Sequence, residues 1–143
     1  MAKGQYSTIY GMLILALSFS VMLGLFVFSN QIKDTAIKNF GERILDGVSD
    51  KIQSGLVDMR FVANSATVNN MTYIITVPKR IGEQNYYVRG ENRTFTIRTI
   101  GQRSMIIRTN ISDLWDVTLL GAAFSQGGQI KLDYVPPATV VLS

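Results

Sequence analysis

Between Lys3 and Lys33 no side chain carries a charge, and from Ile9 to Phe28 the residues Met, Leu, Ile, Val and Phe fall on every side of any helix the segment forms. A helix that is apolar all round belongs in lipid or inside a large core. This chain has 143 residues, and the roughly 110 left beyond the apolar head are too few to enclose it. About 20 apolar residues, rising ~1.5 Å each, cross a hydrocarbon layer ~30 Å thick. A secretory signal has a shorter apolar region, about 7 to 15 residues, followed by a small-residue cleavage site. Here the run is longer and the pattern after it stays helical, so the simplest reading is an N-terminal membrane anchor. Lys3 and the initial amine hold the short N-terminal side in the cytoplasm, which leaves the C-terminal part outside.

The helical pattern does not end with the apolar run. From Ile32 to about Val62 there is no proline, and Ile37, Phe40, Ile44, Val48, Ile52 and Leu56 recur three or four residues apart, with Lys33, Asp34, Lys38, Glu42, Arg43, Asp46, Asp50 and Lys51 on the other faces. The expectation is one helix over about residues 5–62, hydrophobic over 5–31 and amphipathic over 32–63. At ~55 residues it would be roughly 80 Å long. Gly41, Gly47 and Gly55 each weaken it by about 1 kcal/mol relative to Ala, so bends or partial melting are expected there.

After Asn64 the texture becomes that of a β domain, residues 64–143. The cluster NSATVNN (64–70) marks the helix exit, and MTYIITV (71–77) reads as a strand ended by Pro78. Tyr86-Tyr87-Val88 should pair with Phe95 and Ile97 across an RGEN turn in which Gly90 supplies positive φ. TFTIRTI and SMIIRTN form a second hairpin through residues 101–103, and DVTLLGAAF pairs with QIKLDYV through Ser125-Gln126-Gly127-Gly128. Six or so strands joined by tight turns imply an antiparallel meander or small sandwich, and hence an α+β fold. The sheet's apolar face needs a cover, which the stripe from Ile37 to Leu56 supplies.

The chain contains no Cys and no His. That removes disulfides, thiolate and His metal sites, and every mechanism with a His base. Asp46 and Asp50, one turn apart, read as a solvated face, and Ser125 lies near glycines with no base to activate it; no catalytic, cofactor or metal site is expected. The net charge of +4 is mild. Arg89, Arg93, Arg98, Arg103 and Arg108 recur about every five residues, a spacing that could present a basic ladder to nucleic acid or acidic glycans. With Glu83, Glu91, Asp113, Asp116 and Asp133 close in sequence, outward strand and turn positions are the favoured reading, and no nucleic acid is expected. Tyr86, Tyr87 and Trp115 likewise read as core or subunit contacts before a stacking platform. Three Asn-x-Ser/Thr sequons, at Asn70, Asn92 and Asn110, fall at expected turns or strand edges, where a glycan would project into solvent if the domain is extracellular.

Lys3-Gly4-Gln5-Tyr6-Ser7, placed directly before an uninterrupted apolar helix, resembles the class III signal peptide and helix of archaeal type IV pilins and pilin-like proteins. In some of these a prepilin peptidase cuts between a basic-Gly pair and a Gln, in a Gln-x-Ser-x-Glu pattern. The resemblance implies a leader over residues 1–4, a cut between Gly4 and Gln5, and a filament-core helix that includes Ile9, Leu13, Leu17, Val21, Leu25 and Phe28. It implies as partners the membrane before assembly, the peptidase, and then copies of the same chain in a helical polymer at the cell surface. The pattern's Glu falls on Ile9, so the carboxylate thought to pair with a neighbouring subunit's amine is missing. The competing expectation is an uncleaved, membrane-anchored protein whose β domain binds the cell envelope or S-layer, such as a stator-like part of an archaeal motility machine.

Overall fold

The computed structural model describes residues 2–65, 70–101 and 104–143, with the side chains of residues 2–6 outside the described set. The chain divides into two compact units, Met1–Asn39 and Phe40–Ser143. One helix, α1 (Ala2–Ser65), runs through both. It is followed by strands β1 (Met71–Thr76), β2 (Asn85–Glu91), β3 (Thr94–Ile100), β4 (Ile106–Asn110), β5 (Thr118–Phe124), β6 (Gln129–Val135) and β7 (Thr139–Leu142). The strands form one sheet in the order β1-β6-β7-β5-β2-β3-β4. This is the expected α+β architecture, with seven strands in place of six.

In the second unit, α1 lays Leu45, Val48, Ile52, Leu56 and Met59, all buried, against Ile75, Tyr86, Val88, Phe95, Ile97, Leu119, Ile130, Leu132, Val140 and Leu142. Alternation puts these strand residues on one face of the sheet and leaves the exposed positions, Ile100, Ile106, Leu120 and Phe124 as well as polar residues, on the other. Burying each large apolar side chain contributes about 1.5–3 kcal/mol, so the helix is part of the domain's core and not an appendage to it. Polar links set its register. The Ser49 and Thr109 hydroxyls are 2.9 Å apart, Tyr73 OH donates to Asp58 Oδ2 at 2.9 Å, and Arg60 Nη1 donates to the Leu114 carbonyl.

The buried face differs from the expected stripe. Ile37 and Phe40 are exposed, while Leu45 and Met59 are buried. A row of residues four apart drifts about 40° per step around a helix of 3.6 residues per turn. Phe40 and Leu56 therefore end up about 160° apart, and the true face follows Leu45, Val48, Ile52, Leu56 and Met59. At the three glycines α1 continues without melting. A Cβ on Gly41 would meet Met105 Cε at 2.6 Å, and one on Gly55 would meet Ile75 Cδ1 at 3.0 Å and the Tyr73 ring at 3.1 Å. Those two glycines let the sheet's side chains approach the helix backbone closely; Gly47 is exposed and touches nothing.

Two strand expectations are corrected. The β2–β3 turn is Asn92-Arg93, between the paired Glu91 and Thr94, with Asn92 at φ 55°. Asn tolerates that left-handed conformation better than most residues. Gly90 is a buried strand position instead, where a Cβ would lie 3.0 Å from Leu119 Cβ and against Leu142. The β5–β6 hairpin does not form either. The strand β7, which follows Pro136-Pro137, slots between them, parallel to β5 and antiparallel to β6. Hairpins β2–β3 and β3–β4 form as expected, although Gln102 and Arg103 in the second turn lie outside the described residues.

Candidate functional site

The first candidate surface is the apolar segment of α1. From Ser7 to Asn39 every side chain is exposed, including Ile9, Leu13, Leu17, Val21, Leu25 and Phe28, with Val21 at 56% and Leu17 at 65%. By length and composition this helix is able to cross a membrane. Two of its hydroxyls are satisfied within the helix: Ser20 Oγ donates to the Ala16 carbonyl at 3.0 Å and Thr35 Oγ1 to the Gln31 carbonyl at 2.9 Å. A shallow hollow along Phe28, Ile32 and Thr35 is the helix's own surface and encloses nothing. Gly4 and Gln5, the expected cleavage pair, lie in the stretch whose side chains fall outside the described set.

The second candidate is one end of the sheet. Asn70 immediately precedes Met71, which pairs with Tyr134; Tyr134 pairs with Val140, Val140 with Leu119, and Leu119 bridges to Asn92. Asn110 pairs with Thr94, two residues beyond Asn92, and the next amide, Ile111 N–H, donates to the Arg93 carbonyl at 2.8 Å. The three sequons, spread over the sequence, thus share one end of the sheet, and all three asparagines are exposed. At Asn110 the side-chain Oδ1 accepts the Ser112 amide at 2.9 Å, which turns the sequon outward in a local loop. Within this unit α1 begins at the opposite end, with Gly41 beside Met105 and Ile81, and finishes at the sequon end, where Arg60 reaches the Leu114 carbonyl.

The third candidate is the sheet face turned away from α1. Arg89, Arg98 and Arg108 stand there on adjacent strands, all exposed. Arg93 is elsewhere, in the β2–β3 turn, paired with Asp116 at 2.5 Å, and Arg103 lies outside the described residues. The four described arginines thus occupy outward strand and turn positions, and the register separates a paired turn arginine from three face arginines. The aromatic residues separate as well. Tyr86 is buried, Tyr87 lies beside Phe124 at 6.2 Å between ring centroids, and Trp115 stacks on Tyr134 at 5.2 Å.

Several of the remaining titratable or nucleophilic groups have structural partners. The Tyr86 hydroxyl donates to the Pro78 carbonyl at 2.6 Å, and burial pushes its pKa up to about 12. The hydrogen bond from Tyr73 to Asp58, then that carboxylate's charge, raises the Tyr73 pKa. Ser125 Oγ is buried and accepts the Tyr86 amide at 3.0 Å. Asp46 and Asp50 are exposed on α1. No group of three or more acidic side chains gathers to hold a metal among the described residues. Comparison with known protein families, with curated proteins and with solved structures returns no match.

Proposed function

We propose that this chain is a structural subunit of an archaeal type IV pilus-like surface filament, used in attachment and assembled through its N-terminal helix. One observation carries the reading: the helix surface from Ile9 to Phe28 is apolar on every side and none of it is buried among the described residues, while the same helix further on lays Leu45, Val48, Ile52, Leu56 and Met59 into the core of the β domain. Such a surface is satisfied by lipid before assembly and by copies of itself afterwards. The Lys3-Gly4-Gln5-Tyr6-Ser7 sequence at its head supports removal of residues 1–4, because a lysine left on that end would oppose withdrawal from the cytoplasmic face and burial in a bundle. The gathering of Asn70, Asn92 and Asn110 at one end of the sheet supports a glycan-bearing surface on the β domain.

A second reading is favoured by Ile9, which stands where the pattern has Glu and leaves a new Gln5 amine without its carboxylate partner. In that reading the leader stays, the helix remains among acyl chains, and the β domain binds the envelope. Intact-mass measurement with N-terminal sequencing of protein from its native cells separates the two. A chain that starts at Gln5 supports the filament subunit, and one that starts at Met1 or Ala2 supports the anchor.

A further inference from the structure

Arg89, Arg98 and Arg108 come from three different strands, and the sheet register sets them in a triangle. Arg89 pairs with Thr96 and Thr96 with Arg108, so the two arginines flank one threonine across two strand spacings, about 10 Å. Arg98 lies two residues along the middle strand, about 8 Å from each. No carboxylate among the described residues pairs with any of the three, and among those residues Arg98 has one side-chain partner, Ser104, whose Oγ accepts from Nε at 3.2 Å. On the outward positions of β2, β3, β4 and β5 the single acid is Glu91, at the margin. The acids that lie near these arginines in sequence are thus directed elsewhere, Asp116 to Arg93 and Asp133 to Thr72.

Beside the triangle lies an aromatic pair. Tyr87 is directly opposite Arg98 on one side and Phe124 on the other, and Phe124 is 61% exposed. A strand surface with an exposed Phe124 ring and a half-buried Tyr87 ring, next to guanidinium groups that no described carboxylate pairs, offers stacking for planar bases and charge for phosphates. From this juxtaposition we infer that the face formed by β5, β2, β3 and β4 binds single-stranded nucleic acid, with phosphates on Arg89, Arg98 and Arg108 and a base on Tyr87 and Phe124. Sugar rings fit this face less well, since it has few carboxylates or carboxamides to bracket hydroxyls, and Asn110 already spends its Oδ1 on Ser112. A second copy meeting the same face about a two-fold axis would set arginines against arginines. The inference rests on the sheet alone and holds for either a filament subunit or a membrane anchor.

The test is fluorescence anisotropy of a labelled oligothymidylate of about 12 nucleotides with the full chain in a neutral detergent, titrated at several salt concentrations. Three phosphate contacts give a slope of log K against log salt of about −2. The double variant Arg89→Gln with Arg108→Gln should bind at least 10-fold more weakly and flatten the slope to about −0.7. Phe124→Ser should weaken binding roughly 5- to 100-fold and leave the slope unchanged. All these side chains are exposed, so circular dichroism should be unaltered. Absence of binding at low salt, or binding that ignores the arginine variants, overturns the inference. A sulfated polysaccharide that binds as tightly, with no loss in Phe124→Ser, overturns it in favour of a glycan. Dimerisation that Phe124→Ser abolishes overturns it in favour of a second copy.

Discussion

Residues 7–39 and residues 40–143 solve the problem of apolar surface in opposite ways. Both contain a stretch of the same helix, with the same backbone geometry and hydrogen bonding. In the second region Leu45, Val48, Ile52, Leu56 and Met59 form a face that the sheet covers, and the charged residues between them face solvent. In the first there is no charged face from Ile9 to Phe28, and none of the described side chains of residues 7–39 is buried. One stretch is completed by its own chain, whereas the other is completed only by something outside it. Helix formation is therefore not the property that distinguishes them; the location of the partner is.

A charge placed in the first region breaks this contrast most severely. Val21→Asp puts a carboxylate in the middle of the apolar surface, at a cost of about 2.5–3.5 kcal/mol per subunit in a membrane-like environment. Repeated in every copy, that cost should abolish filaments as counted by electron microscopy. The near-ultraviolet circular dichroism of the β domain should stay unchanged, because Val21 does not contribute to its core. Filaments of normal abundance from this variant would remove the case for self-association.

A matched pair of truncations tests the contrast from both sides. Leu56 is completely buried and Leu17 is 65% exposed. Leu56→Ala should lower the unfolding free energy of the β domain by about 2–5 kcal/mol, through lost burial and a residual cavity. Leu17→Ala should leave that domain's denaturation midpoint unchanged within about 0.5 kcal/mol. Equal effects at the two positions would mean that the apolar segment is part of the domain's folding unit after all.

The same contrast explains which features were legible in the sequence. The apolar helix and the β1, β2–β3 and β3–β4 segments were readable, because unbroken hydrophobicity and period-2 alternation are local signals. The exact buried face of α1 was not, since Ile37 and Phe40 match a spacing of three or four while the sheet selects Leu45 and Met59 by its own position. The partner of β5 was hidden for a similar reason. Turn residues 125–128 suggest a hairpin to β6, but β7 competes for that edge, and the Pro136-Pro137 pair before it reads as an end to strand structure. The roles of Gly90 and Asn92 were exchanged because close packing on Leu119 and Leu142 depends on strands remote in sequence. The sequons and face arginines could be found by motif and composition. Their convergence on one end and one face follows only from the register.

The smallest expected effect concerns Tyr86, and it sharpens the contrast because the β domain has a buried polar group where the apolar segment has none described. Its hydroxyl bonds to the Pro78 carbonyl, and its pKa in the folded chain is raised from 10.0 to about 12. An acid whose folded pKa exceeds its unfolded one keeps its proton longer in the native state. Its stabilisation is then fully present below about pH 10 and disappears as the pH rises through the folded value. The unfolding free energy should accordingly be level from pH 8 to 10 on this account and fall between about 10 and 12. Tyr86→Phe should cost about 1 kcal/mol at neutral pH, for the lost hydrogen bond and the unpaired carbonyl, and should flatten most of the alkaline decline. Tyr73, raised by its bond to Asp58, is displaced in the same direction and leaves a residual slope that Tyr73→Phe should remove. An alkaline profile identical in Tyr86→Phe and the parent would show that the buried hydroxyl is not what the domain loses at high pH.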